Sequence, residues 1–499
     1  MLTEFHLLLL LIGGSNMNLS SRRSFLKRFL ATSMAFSAGG RILGANGDIR
    51  VAVVGLGNKG GGHVDSFRNA EGVRVVCLCD VDPNRLAEKL KSFESNRNIF
   101  ATTDVRRVID RKDIDAVIIA TCNHWHGPIT VWACQAGKDV YVEKPVSHNL
   151  REGSLMTEVA KKYNRIVQSG TQYRSDHGLR AAAEYIHQGN IGKMLWGHVL
   201  WYERRGSIGK KPPWKPEWLD YDLYCGPAPV ELLTRNQLHY DWHWVWSTGD
   251  GDLANSGIHA FDVCRMFAGY DHLPERAMCT GGRFAVNDAG QTPNTQLTVL
   301  DYKPVPIIIE NRNLPTAKGR RAMDQLKGVR EGIIFQCEHG YFAGFRAGGW
   351  VYDNNGEKIK QFIGDGGRDH HINFIQAVRN RKSDALNAPI RQGHISSAVC
   401  HLGNLSYRLG ESANRREILD KIGDCELAGE IFERMEKHLA ANEVDLSRTP
   451  MKLGPWLTID SGTDTISHCD GRDDKAAVAA ANKLAGGSYR KPFVIRESI

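Results

Sequence analysis

The sequence predicts an α/β fold in which a doubly wound parallel sheet precedes a second α/β domain. Three observations predict it. The chain has 499 residues, enough for two separate cores. From Ile49 to Lys144, short β-branched apolar runs alternate with stretches of helical period, as parallel strands buried on both faces require. Further on, apolar–polar alternation around 195–202 and 296–310, with turn-rich sequence such as "GGRFAVNDAGQTPNTQLTVLDY", reads as antiparallel strands.

The first run, Val51–Val54, breaks into Gly55-x-Gly57-x-x-Gly60, and a helical stretch continues to about Ala70. "VRVVCLCDVD" forms the second strand and ends at Asp80. A helical pattern at 105–111 precedes a strand at 115–121, "DAVIIAT". "HWHGPITVWACQAG" reads as a helix closed by glycine, and "KDVYVEK" as the next strand. Helical patterns recur at 370–382 and 426–442, and the chain turns polar beyond about residue 411.

Strand, glycine turn, helix, strand and terminal acid in this order form a dinucleotide fingerprint. Gly55 permits the tight turn, Gly57 lets backbone approach a pyrophosphate, and Gly60 lets helix and strand pack closely. The helix N-terminus, with Asn58 and Lys59, attracts the phosphates. Asp80 is suited to accept hydrogen bonds from ribose hydroxyls and to repel a 2′-phosphate, so NAD is expected rather than NADP. The plain alternative for Asp80 is a strand-end turn residue. Ligands of such a sheet lie at the carboxyl ends of its strands, where Thr121, His126, Glu143 and Lys144 fall.

Before the fold, "SSRRSFLKRFLATSMAFSAGG" at 20–40 places Arg22 and Arg23 ahead of Phe25, Leu26 and Lys27, then a weakly apolar run of small residues. This resembles a twin-arginine export signal, so residues 1–46 are expected to form the export signal region and the mature protein to be periplasmic. Cleavage is expected between about Ser37 and Ala45, and Met17 is the more regular start for such a signal. The apolar stretch within residues 1–16 is too short to span a bilayer, so no stable membrane anchor is expected. The eleven cysteines are odd in number and irregular in spacing; Cys77, Cys79, Cys134 and Cys264 read as small buried hydrophobes. The formal charge of +8 is scattered and no reader motif occurs, which argues against a nucleic-acid partner.

Taken together, "GLGNKG", "ATCNHWHGPITVWACQAGKDVYVEKP" and "GDLANSGIHAFDVCRMFAG" resemble the Gfo/Idh/MocA oxidoreductases, over about Asp48 to Gly410. The resemblance implies an N-terminal Rossmann domain and a C-terminal α/β domain with an open, mainly antiparallel sheet. It implies that Lys144 touches both nicotinamide and substrate, that the Lys144–Pro145 bond is cis, and that the protein is a homo-oligomer. Two positions depart from the family pattern. Cys122 stands where the family commonly has proline, and Asn255 where it often has aspartate, four residues before His259. Asparagine orients a hydroxyl but takes no proton, which throws the base role onto His259 with Asp262 as its partner.

The stretch "LHYDWHWVWSTGDGD" at 238–252 is dense in aromatic and imidazole side chains, which suit stacking and hydrogen bonding to sugar or cyclitol rings. Trp244 and His243 are the candidate substrate residues here, with Tyr173 and Asp262 from elsewhere; a tryptophan-rich core is the plain alternative. His124/His126 and His239/His243 are spaced as metal pairs, but no carboxylate spacing accompanies them and no metal is expected.

The domains are therefore read as an NAD-binding domain at 47–172, a substrate and oligomerisation domain at 173–455 and a C-terminal tail at 456–499. The leading function is an NAD-dependent oxidoreductase that transfers hydride from a sugar, cyclitol or related polyol, with Lys144, His259 and Asn255 as catalytic residues. One alternative is an NAD-dependent glycoside hydrolase or lyase that uses transient oxidation and elimination. The other is a non-enzymatic, nucleotide-loaded carbohydrate-binding protein.

Overall fold

Two sheets organise the computed structural model, which describes residues 47–93, 98–423, 425–460, 462–470 and 475–495. The expected export signal and alternative start lie outside these residues. The first sheet has six strands: β1 (Ile49–Val54), β2 (Val73–Cys79), β3 (Phe100–Thr102), β4 (Ala116–Ile119), β5 (Asp139–Val142) and β6 (Val167–Ser169). All pair in parallel, in the order β3-β2-β1-β4-β5-β6. The alternation of side chains along the strands serves two cores. Ala52, Val54, Val117, Ile119 and Val142 face one, and Val51, Val53, Leu78, Ile118 and Tyr141 the other. Each fully buried valine or isoleucine contributes about 1.5–3 kcal/mol, which is why these short runs need no polar face.

The second of these cores is not built from contiguous sequence. Helix His370–Asn380, far along the chain, supplies Phe374, Ile375 and Val378 to the core that holds Val51 and Val53.

The second sheet is larger. Its strands are β7 (Met194–Tyr202), β8 (Arg276–Gly282), β9 (Thr295–Asp301), β10 (Ile307–Arg312), β11 (Glu331–Cys337), β12 (Gly340–Gly344), β13 (Gly348–Asp353), β14 (Lys358–Ile363), β15 (Glu411–Ala413) and β16 (Met451–Leu453). They run in the order β14-β13-β12-β11-β7-β10-β9-β8-β16-β15. Among the described residues, only β7 and β10 of this sheet pair in parallel. The alternating stretch at 296–310 divides into β9 and β10 because Pro304 and Pro306 lie between them and have no N–H for the ladder. Helices His177–His187, Ile258–Ala268 and Ile390–Leu409 cover one face, and Arg415–Ile422 with Glu426–Ala441 cover part of the other.

The chain beyond residue 456, read from sequence only as a tail, continues the architecture. Strands β17 (Leu457–Asp460) and β18 (Thr465–Cys469) pair with each other, β17 extends from β8, and helix Lys475–Gly486 follows. Among the described residues, no helix is long and apolar enough to cross a membrane.

Helix Ile258–Ala268 carries His259 toward the first sheet, and a buried charge cluster fixes it. Asp262 accepts hydrogen bonds from Arg174 Nε (2.8 Å), Arg265 Nη2 (3.2 Å) and Ser396 Oγ (2.6 Å). Arg265, with no exposed surface, also donates to the carbonyls of Tyr270 and Gln392. Asp262 is thus neither a partner of His259 nor a substrate ligand, a correction to the sequence reading; its helical phase turns it to the arginines. Replacing Asp262 with alanine leaves two guanidinium groups without their carboxylate, and a destabilisation of about 3–5 kcal/mol is expected. Chemical denaturation of Asp262→Ala against the parent chain measures it.

Candidate active site

The strand order reverses between β1 and β4, and the crevice at that point is where an open α/β sheet takes a ligand. The two strand ends approach closely. Gly55 has φ +85°, and a Cβ there would lie 2.4 Å from the carbonyl oxygen of Ala120. A Cβ on Gly60 would lie 1.7 Å from the oxygen of Gly55, so the helix Asn58–Arg68 can start here only from glycine. No side chain caps that helix at Gly57, which leaves its first N–H groups directed at the crevice.

A cavity of 380 Å³ fills the crevice. Gly55, Gly57, Asn58, Lys59 and Asp80 line its first-sheet side, and Thr121, His126, Glu143 and Lys144 its centre. His243, Asn255 and His259 reach it from the second half of the chain. Gly60 lies behind the wall, as its packing on Gly55 demands. Asp80 accepts from the N–H groups of Leu56 (2.6 Å) and Asp82 (2.9 Å), which hold its carboxylate at the cavity edge. A glycine cradle, an open helix terminus and a carboxylate at the end of β2 fit the pyrophosphate and ribose of a dinucleotide.

Glu143 and Lys144 directly follow β5, with opposite charges and different partners. Glu143 Oε1 lies 2.8 Å from His63 Nε2 and 3.6 Å from Lys59 Nζ. Burial alone would raise the Glu143 pKa. The Lys59 charge and the His63 hydrogen bond overcome it and hold the carboxyl well below its ordinary value. Lys144 does not pair with this carboxylate through its amine. Its Nζ donates 2.5 Å to the backbone oxygen of Asn255, across the two halves of the molecule. Burial, then the charges of Lys59 and Arg205, lower its pKa against the opposing pull of Glu143. The Lys144–Pro145 peptide is cis.

The loop beyond Lys144 is held at three points. Val146 N donates to Ser397 Oγ (3.0 Å), His401 Nε2 lies 3.0 Å from the Ser147 carbonyl oxygen, and His148 Nδ1 lies 3.0 Å from Asp250 Oδ2. Burial opposes both charges of the last pair, yet their mutual attraction raises the His148 pKa and lowers that of Asp250. The same Asp250 oxygen accepts from Asn123 Nδ2 (2.8 Å), on the turn that follows β4. Asp250 stands just ahead of the wide π-helical turn Leu253–Gly257, which carries Asn255 and runs into the helix bearing His259. Such turns recur at functional sites because they redirect side chains.

His259 is packed edge-on to Tyr173, with ring centroids 5.2 Å apart, and Tyr173 packs in turn on Phe345 at 4.6 Å. Tyr173 therefore buttresses the imidazole rather than lining the cavity. His259 Nδ1 is buried with no hydrogen-bond partner among the described residues, which leaves Nε2 as the nitrogen available to the cavity. Burial, reinforced by the Lys144 charge, holds the ring well below its ordinary pKa, so it is neutral with a free lone pair at neutral pH.

The aromatic stretch contributes differently from its sequence reading. Trp244 is only 4% exposed; Tyr240 packs edge-on to it (5.5 Å) and Arg205 lies over its face (5.6 Å). Trp242, Tyr240 and His239 line the cavity in its place. The short turn Asp241–Trp244 has near three-residue periodicity, so alternate tryptophans do not share a face. Sequence reasoning also missed Arg85, Asn123 and Tyr224 in the cavity wall, and Tyr489, whose hydroxyl donates 3.0 Å to Glu152 beneath it. Arg85 and Asn123 follow the carboxyl ends of β2 and β4, where the strand-end rule could have found them, whereas Tyr224 and Tyr489 arrive by long-range packing. His124 and His126 lie within 3.4 Å of backbone carbonyl oxygens through both ring nitrogens. Among the described residues no group of three or more His, Cys, Asp or Glu side chains is gathered as a metal site.

Fold and cavity define a dinucleotide-binding α/β protein. Residues 49–171 match the family model of the Gfo/Idh/MocA proteins, described as an oxidoreductase family with an NAD-binding Rossmann fold. A "Glycosyl hydrolase family 109 protein" of Shewanella pealeana is 27% identical over 184 residues, 34% of this chain and 40% of the relative. Myo-inositol 2-dehydrogenase of Thermotoga maritima is 28% identical over 188 residues, 38% of this chain and 52% of the relative. The chain thus spans about half or less of the length of these relatives. The WlbA dehydrogenase from Bordetella pertussis, solved in complex with NADH and UDP-GlcNAcA, superposes with a TM-score of 0.53 at 17% identity. That superposition covers 72% of this chain and 97% of the other, and the likeness is one of fold.

The Glu143 pKa shift predicts a pH dependence. A carboxylate depressed in the folded state stabilises fully above its ordinary pKa of 4.5, and that stability is lost as pH falls below 4.5 toward the depressed folded value. Denaturation midpoints measured down this range are expected to fall more steeply for the parent chain than for Glu143→Gln. Parallel curves would show that Glu143 is not held as an anion.

Proposed function

We propose that the protein is an NAD-dependent oxidoreductase that removes hydride from a secondary alcohol of a sugar, cyclitol or related polyol. The observation that carries this reading is the meeting of the Lys144 amine and the His259 imidazole, from the two halves of the molecule, in the cavity bounded by the glycine turn. The printed names of the relatives, an inositol dehydrogenase and a glycosyl hydrolase, support a carbohydrate or polyol substrate.

Oxidation takes a hydride from the carbinol carbon and a proton from its oxygen. When bound, the nicotinamide supplies the hydride acceptor. Gly55, Gly57 and the N–H groups from Asn58 onward would hold the pyrophosphate, and Asp80 the ribose, which favours NAD over NADP. His259 Nε2 takes the hydroxyl proton. Lys144 gives one N–H to the Asn255 carbonyl and has two left for the substrate oxygen as its negative charge grows. The Asn255 side chain orients the hydroxyl. His243 and Trp242 offer a ring nitrogen and an aromatic wall to the polyol.

Replacing Lys144 or His259 with alanine is expected to lower kcat by about 10²–10⁴-fold without loss of bound nucleotide. NADH absorbance during a screen of hexosides and myo-inositol is the assay. The glycosyl hydrolase name of the first relative favours a second reading, redox-assisted glycoside cleavage, in which aglycone is released while the cofactor level stays constant. Carbohydrate binding with neither outcome would sink both and leave the binding-protein reading.

We also propose export through the twin-arginine machinery to the periplasm, supported by the order Ser21-Arg22-Arg23-Ser24-Phe25-Leu26-Lys27, and a homo-oligomeric state, supported by the family resemblance. Cell fractionation is expected to find the parent chain in the periplasm and the Arg22→Lys, Arg23→Lys double variant in the cytoplasm. Equal periplasmic recovery of both would exclude this route.

A further inference from the structure

Tyr240 stands at the mouth of the cavity in a backbone conformation that is unusual for a residue with a Cβ. Its φ is +66° and its ψ −48°. Asp241 N donates to the His239 carbonyl oxygen at 2.8 Å, which makes Tyr240 the centre of a γ-turn. Turns of this hand are strained, and such strain gathers at ligand sites. Glycine would take the turn freely, yet the chain places a tyrosine there.

The tyrosine is held from the protein side. Arg205 Nη1 donates to its hydroxyl at 2.8 Å, while Nε and Nη2 of the same guanidinium donate to Asp252, and Nη2 also to Ser256 Oγ at 3.2 Å. One guanidinium therefore ties Tyr240 to the turn that carries Asn255. His243 and Trp244 pack edge-on against the ring, with centroids 4.9 and 5.5 Å away. Even so, Tyr240 lines the cavity with 47% of its surface exposed. Its hydroxyl accepts from Arg205, and no acceptor for its own hydrogen appears among the described residues. The same turn aims the Tyr240 carbonyl oxygen at His243 Nδ1 (2.5 Å), which leaves His243 Nε2 as an acceptor. Burial keeps that ring neutral, its pKa lowered to about 3.

We propose that Tyr240 is the platform of an outer subsite, and that the substrate carries a second sugar ring that stacks there while the first meets Lys144 and His259. The proposal rests on the reading of the cavity as a polyol oxidation site. Lys144, Asn255 and His259 occupy its inner end, and a single ring bonded to them leaves a half-exposed phenol with nothing to do. A second ring, joined by a glycosidic bond, emerges at the mouth. Its C–H face suits the aromatic ring, and its hydroxyls suit the free Tyr240 donor and the His243 acceptor.

Substrate length tests the proposal. Cellobiose, maltose and lactose are titrated calorimetrically into the NAD-loaded full chain, beside methyl β-glucoside, methyl α-glucoside and methyl β-galactoside, the matching single rings. At least one disaccharide is expected to bind about tenfold or more tightly than its single ring, a difference of about 1.4 kcal/mol. Tyr240→Gly removes ring and strain together and is expected to bring that ratio to about one. The comparison within the parent chain keeps the test open if Tyr240→Gly fails to fold. Disaccharides that bind no more tightly than their single rings, or a ratio that survives Tyr240→Gly, overturn the outer subsite and leave the oxidation reading intact. Failure of the NAD-loaded chain to bind or oxidise any of these sugars or myo-inositol overturns the oxidation reading, and the subsite with it.

Discussion

The amine of Lys144 reaching the carbonyl oxygen of Asn255 is the bond on which the rest of the site depends. It joins the tip of a strand buried on both faces to a turn of the second half of the chain. A hydrogen bond from a charged donor contributes about 1.5–3 kcal/mol, and much more is lost if a buried ammonium is left without an acceptor. With the sheet and the turn fixed, the lysine has one place to be, and the helix Ile258–Ala268 that follows the turn brings the imidazole of His259 to the same cavity.

That geometry is maintained by charges arranged so that few stand alone. Glu143, at the base of Lys144, spends its charge on His63 and Lys59, so the lysine is free to serve the other side of the cavity. In the second half of the chain the same logic holds for a second carboxylate. Asp250 takes His148 from the lysine loop and Asn123 from the β4 turn on one oxygen, which ties these two segments to the approach of the turn that carries Asn255. Asp262 and its arginines do the same for the helix behind. Buried charges of this kind add little to net stability but make misplacement expensive, which suits a site whose chemistry depends on fixed distances.

The aromatic segment 238–246 joins the cofactor side to the substrate side. Its turn sends Trp242 and His243 to the cavity and Trp244 inward, where Arg205 and Tyr240 enclose it. His239 bonds Asp82 beside β2, so the chain that walls the crevice there also carries Trp242 and His243 into the cavity.

By itself the sequence determined what is local. Periodicity marked the buried strands, and the glycine turn, Asp80, Thr121, Glu143 and Lys144 could be read at strand ends because a parallel sheet presents its ligand at that edge. Asn255 and His259 could be read as a pair because four residues span about one helical turn. Tertiary structure alone decided where non-local side chains point. Asp262 looked like a companion of His259 until Arg174, far off in sequence, and Arg265, one helical turn on, claimed it; Tyr173 became a buttress, and Trp244 gave its place to Trp242. The docking of residues 203–249 on the first sheet, the return of helix His370–Asn380 to the core of Val51 and Val53, and the contact of Tyr489 with Glu152 join residues far apart in sequence. Direction and contact at such positions depend on which surfaces exclude water together, and no short window of residues holds that information.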